Sequence, residues 1–203
     1  MANAITMLRY PVLVAVILLF YLGDTTALYV NVVVLFVLLL MDTLDGMVAR
    51  RRGETSLLGS TLDIATDRAV EIVLWVIYAH LGLISVAIPI IVVVRGNLVD
   101  AFRSVMVERG VKPFDMMRSR WGRFLVATPI MRTGYAVAKI TAFLLLALTL
   151  ALQSGSAAAT DLVWTLAGII SWVAVVICLA RGIPVLIEGW PLLQRLDSKE
   201  KVK

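Results

Sequence analysis

Four aspartates stand at the edges of two long apolar runs. Asp42 and Asp45 close the second run of the chain, after residues 28–40, which carry no charge. Asp63 and Asp67 lie near the start of the third. Residues three or four apart share a helical face, so each pair projects from one side of its own helix. A short loop joins the two runs and makes them antiparallel neighbours, so four carboxylates can converge near one end of both. An aspartate at the centre of a spanning helix costs about 2.5–3.5 kcal/mol, and less near the interface. Four like charges in one pocket also resist joint ionisation. Divalent cations remove both penalties. All-carboxylate ligation selects hard ions, Mg²⁺ or Mn²⁺, and four carboxylates suit two of them, each shared with a substrate phosphate. Paired ions of this kind stabilise the attacking and leaving oxygens of phosphoryl transfer.

Two other readings use the same residues. One is an interhelical salt-bridge network with Arg50 and Arg68 as partners. The other is a cation-transport site. A transport path would carry acidic groups on several spans, whereas here they gather at one end, which favours phosphoryl transfer. Gly46, Ala49 and Gly59 lie beside the aspartates. Glycine inside a helix costs about 1 kcal/mol, so its use marks a close approach, by a ligand or by a packed helix. Arg50 suits a phosphate or a carboxylate. Arg51 and Arg52 read as interfacial residues.

The elements that must position these groups follow from composition. Of 203 residues, 61% are hydrophobic and 16% charged, with a mean hydropathy of +0.94. Soluble chains carry roughly 45–50% apolar and about 25% charged residues. The chain is therefore expected to be an integral membrane protein, all-α, with one membrane domain over residues 1–203. Six apolar segments span residues 5–22, 27–49, 60–80, 83–106, 131–153 and 160–187. The connections near residues 23, 82 and 155 hold no Lys or Arg, while those near residues 51 and 115 and the C-terminal tail hold many. That asymmetry predicts a six-helix bundle in the cell's inner or plasma membrane, with both termini and the aspartates on the cytoplasmic side. Residues 109–123 are expected to form a cytoplasmic connection, partly helical along the membrane surface. The net charge of +5 then serves topology and anionic groups rather than nucleic acid. Cys178 is the only cysteine and His80 the only histidine, so neither a disulfide nor a thiolate–zinc cluster can form. Arg9 followed by residues 11–22 also has the layout of a signal peptide, but the first segment is needed for an even count of spans.

The motif reads Asp42-x2-Asp45-Gly46-x2-Ala49-Arg50-x8-Gly59-x3-Asp63-x3-Asp67. At every fixed position it resembles the signature of the CDP-alcohol phosphotransferase (CDP-alcohol phosphatidyltransferase) family. The resemblance implies transfer of a phosphatidyl group from a CDP-linked lipid to an alcohol, release of CMP, two Mg²⁺ or Mn²⁺ ions and a homodimer. It implies that Asp42, Asp45, Asp63 and Asp67 ligate the ions and that Asp67 is the catalytic general base. It places Asp45, Gly46, Ala49, Arg50 and Gly59 around the CDP moiety. Upstream, "NAITMLR" resembles the family's N-x2-T-x2-R pattern, which adds Asn3 and Thr6 to the CDP site; helix capping is the alternative role for either residue.

The acceptor is less legible. Arg95 lies inside an apolar segment and needs a partner there. Arg132 and Lys139 are seven apart and share a face, with Tyr135 between them. Together with Arg103 and Arg120 they form a candidate site for a phosphate on the acceptor alcohol. Phosphatidylglycerophosphate synthases and phosphatidylinositol-phosphate synthases use such acceptors. The spacing from Arg95 to Gly110 resembles the former, whereas "LDIATDR" resembles the latter. The expected acceptor is glycerol 3-phosphate, with inositol phosphate or another polar alcohol as the alternative.

Overall fold

A computed structural model describes residues 2–52, 57–108, 117, 119–155 and 159–200, and among them every regular element is a helix. The order is α1 (Ala2–Leu22), α2 (Thr25–Arg52), α3 (Leu57–His80), α4 (Ala87–Glu108), α5 (Arg120–Ala127), α6 (Pro129–Ser154) and α7 (Thr160–Glu200). Five of the six apolar segments fall within one long helix each, and the fourth, residues 83–106, starts four residues before α4. The short α5 is the helical part of the connection after α4. By length and composition, three stretches of the described residues are able to cross a membrane: Thr25–Asp42, Pro129–Ser154 and Thr160–Gln194. Thr6–Leu22 is a shorter apolar helix. Helices α3 and α4 miss that standard because Asp63, Asp67, Arg68 and Glu71, or Arg95, Asp100 and Arg103, interrupt their apolar runs. Asp63, Asp67, Arg95 and Arg103 among them are groups from which chemistry is expected.

The chain divides into two compact units. The first comprises Met1–Val86 and Ile140–Ile169. Its core is built from Val16, Leu35, Leu38, Leu74, Trp75, Tyr78, Phe143 and Leu146, all essentially inaccessible. Trp75 packs edge-on to Phe143 with ring centroids 4.6 Å apart, and Phe20 meets Tyr78 in the same manner at 5.5 Å. Such pairs add to simple area burial because the positive ring edge meets the negative face. Two polar side chains inside this core bond to the backbone of a neighbouring helix. The Tyr78 hydroxyl donates to the Phe143 carbonyl at 2.7 Å, and Asn31 Nδ2 donates to the Val16 carbonyl at 3.1 Å. These bonds fix the registers of α3 against α6 and of α2 against α1. Asp24 caps α2 by accepting from the Ala27 amide at 2.8 Å. Gly82, at φ +72°, turns the chain after α3 in the left-handed region that glycine adopts at little cost.

The second unit comprises Ala87–Lys139 and Ile170–Lys203. Its apolar centre is Val99, Met106, Met117, Val126 and Val185, with Leu186, Leu192 and Leu193 against it. Ser119 caps α5: its hydroxyl accepts from the Gly122 amide at 2.8 Å and donates to Glu188 of α7. The Ser119 amide donates to the other Glu188 oxygen at 3.1 Å. Gly122 leaves room for the Glu188 carboxylate, which a Cβ would displace. Phe102 stacks on Trp190 at 6.0 Å and ties α4 to the same stretch of α7.

Candidate functional site

Within the first unit, the aspartates meet a cation that arrives from a third helix. Arg9, on the second turn of α1, is 1% exposed. Its Nη1 donates to Asp42 Oδ1 at 2.9 Å and lies 3.7 Å from Asp63 Oδ1; its Nη2 lies 3.9 Å from Asp67 Oδ1. Helices α1, α2 and α3 thus converge on one guanidinium. A buried arginine needs such partners, since an uncompensated charge there costs several kcal/mol. Asp63 and Asp67 reach it together because they stand one turn apart on α3. The three carboxylate side chains are 41%, 45% and 44% exposed, so each keeps an open side for a ligand. The salt-bridge alternative named Arg50 and Arg68 as partners; Arg9 is a further cation that meets these aspartates, and the Arg50 side chain lies outside the described residues.

Other expected members fall as follows. Thr6 is buried on α1, one turn before Arg9. Gly59 is half-buried in the first turn of α3. Asn3 lies in α1, and Asp45, Gly46, Ala49 and Arg50 in α2, but their side chains are outside the described residues. Among the described residues no three acidic, histidine or cysteine side chains form a set that could hold an ion as they stand. The donors are nevertheless all hard oxygens with accessible faces, which is the chemistry Mg²⁺ or Mn²⁺ requires. Asp45 belongs to the expected set and is not among the side chains described.

In the second unit, a cationic group surrounds Tyr135. Lys139 Nζ lies 5.7 Å and Arg181 Cζ 5.8 Å from the centre of its ring. Arg181 of α7 also feels the charges of Arg95, Arg103 and Arg132. The Arg95 side chain runs across Gly182, where a Cβ would come within 2.9 Å of its Cγ. Lys139 is buried, and Arg95 and Arg103 are half-buried. The Nε atoms of Arg95 and Arg181 are buried without a hydrogen-bond partner. Arginine forks suit a phosphate. Arg95, Arg103 and Arg132 thus lie within electrostatic reach of Arg181, and Lys139 shares the Tyr135 ring with it. Arg120 does not join by any described contact; it is exposed on the first turn of α5.

Two members escaped sequence reasoning. Arg181 is a lone cation in the sixth apolar segment, and the burial argument applied to Arg95 would have found it. Arg9 is the only Lys or Arg in the first 49 residues, a signal open to the same argument.

Comparison with known proteins supplies a second line. Residues 1–180 match the family model described as CDP-alcohol phosphatidyltransferase. Two curated relatives carry the name CDP-diacylglycerol--glycerol-3-phosphate 3-phosphatidyltransferase. The one from Haemophilus influenzae is 25% identical over 132 residues, which cover 64% of this chain and 71% of that protein. The one from Wigglesworthia glossinidia brevipalpis is 26% identical over 110 residues, covering 53% of this chain and 60% of its own length.

Proposed function

Because the chain belongs to the CDP-alcohol phosphatidyltransferase family, we propose that it transfers the phosphatidyl group of CDP-diacylglycerol to glycerol 3-phosphate and releases CMP. The observation that carries this reading is the meeting of Asp42, Asp63 and Asp67, three of the motif's four aspartates, at one accessible point. The names of both relatives supply the acceptor, and the arginine group around Tyr135 supports a phosphorylated one. A cation transporter built on the acidic cluster gains no support from the family match.

In this reading Asp42, Asp45, Asp63 and Asp67 hold two Mg²⁺ or Mn²⁺ ions. When bound, such ions would supply positive charge that offsets the charge developing on departing CMP. The protein's own groups do the rest. Asp67 accepts the proton of the acceptor's attacking hydroxyl, which then displaces CMP from phosphorus in one in-line step. Asn3, Thr6, Gly46, Ala49, Arg50 and Gly59 receive the nucleotide. Arg95, Arg103, Arg132, Lys139 and Arg181 hold the acceptor's phosphate and orient its hydroxyl, the positioning on which such reactions depend. We further read α1, α2, α3, α4, α6 and α7 as six spans with the site at the cytoplasmic face, in a homodimer. The absence of Lys and Arg from three connections supports that orientation.

The deciding experiment uses purified full-length protein, labelled CDP-diacylglycerol, Mn²⁺ and a panel of acceptors. CMP release with glycerol 3-phosphate is expected. Release with inositol phosphate alone would move the acceptor assignment, and no release with any alcohol would refute the enzyme reading.

A further inference from the structure

Arg9 binds one of the oxygens that an ion would need and faces two more. The Oδ1 atoms of Asp42, Asp63 and Asp67 all face its two Nη nitrogens, at 2.9, 3.7 and 3.9 Å. A Mg²⁺ ion demands oxygens at about 2.0–2.1 Å around a single point. The guanidinium spreads them wider, so the same carboxylates cannot serve both cations at full strength. The burial is one-sided as well. Arg9 is 1% exposed, while the aspartates keep over two-fifths of their surface open. An ion must enter from that open side, and the arginine stays behind it as a fixed positive charge. The Arg9 Nε is buried without a hydrogen-bond partner, which leaves these aspartates as its described counter-charges.

We propose that Arg9 is an internal competitor of the divalent ions, which keeps the aspartates from binding them tightly until the donor's pyrophosphate arrives. The inference rests on the metal reading of the aspartates given above. Its physical content is a charge balance. Three or four carboxylates less one guanidinium attract a divalent ion less strongly than the carboxylates alone. A pyrophosphate adds negative charge and ion-binding oxygens on the open side and restores the affinity. Ion and nucleotide binding then reinforce each other, and the coupling is reciprocal. A protein built in this way loads its ions together with the donor.

The test is Mn²⁺ binding to purified full-length protein, read from the paramagnetic resonance of free Mn²⁺, with and without CDP as the nucleotide probe. Arg9→Gln removes the charge and keeps polarity. It is expected to tighten Mn²⁺ binding without CDP by about tenfold or more, because a unit charge a few ångström from a divalent ion is strongly repulsive at the effective dielectric of a protein. The further gain on adding CDP is expected to shrink. Arg9→Met removes the charge and keeps the bulk, and tightens Mn²⁺ by a similar factor; it carries the test if the glutamine variant does not fold. Unchanged or weaker Mn²⁺ binding in the folded variants would overturn the proposal, because Arg9 would then organise the site instead of competing for it. Asp63→Asn separates the two levels. If it abolishes Mn²⁺ binding while the Arg9 variants show no gain, the metal reading stands and only the role of Arg9 falls. If wild type binds no Mn²⁺ even with CDP, both fall.

Discussion

Gly182 offers the sharpest probe of the acceptor site, because altering it changes no charge. The Arg95 stem crosses this glycine so closely that an added Cβ would lie 2.9 Å from Cγ and 3.1 Å from Cδ, with Nε closer still. Ordinary contact begins near 3.4 Å, so Gly182→Ala must push Cγ back by about 0.5 Å (3.4 less 2.9). The guanidinium lies farther along the same lever and moves by about 1 Å, more than the roughly 0.5 Å window of a good hydrogen bond tolerates. A hydrogen bond to a charged group contributes about 1.5–3 kcal/mol. Its loss predicts a rise of roughly ten- to a hundredfold in the acceptor's KM, with the CDP-diacylglycerol KM nearly unchanged. Stability moves the other way or not at all, since alanine gains up to about 1 kcal/mol over glycine inside a helix. The assay is steady-state CMP release with each substrate varied in turn, alongside thermal unfolding in the same detergent. Arg95→Ala is expected to raise the same KM, and Gly182→Ala should add nothing on that background, since no side chain remains to be displaced. A folded Gly182→Ala protein with the wild-type acceptor KM would refute the reasoning and remove Arg95 from the phosphate site.

Three further outcomes are expected. Asp67→Asn should abolish CMP release while leaving the thermal midpoint near that of wild type; a wild-type rate would end its role as base. Chelation should stop turnover, and added Mg²⁺ or Mn²⁺ should restore it, whereas full activity in excess chelator would refute the metal reading. Tyr78→Phe should cost about 1 kcal/mol of stability through the lost bond to the Phe143 carbonyl, because the ring packing survives; an unchanged midpoint would mean that the bond contributes nothing net.

Helical periodicity and apolar runs depend on local order along the chain, and so they were legible in advance. The intervals 42 to 45 and 63 to 67 put each pair of aspartates on one helical face without knowledge of any partner. The six apolar segments likewise mark the six long helices, and the basic connection contains the helical α5. What the intervals do not encode is which distant cation meets which anion. Arg9 reaches Asp42 across 33 positions and Asp67 across 58 (67 less 9), and although it is the arginine of the N-x2-T-x2-R pattern, that pattern does not say which anions it meets. Arg120 and Arg181 show the same gap in opposite senses. The first was counted with the acceptor arginines and is exposed on α5; the second was passed over and stands among them at Tyr135. Local spacing determines the face on which a charge emerges. The packing of α1 against α2 and α3, and of α4 against α7 at Gly182, determines what that charge confronts, because burial makes each ion's surroundings a property of several helices at once.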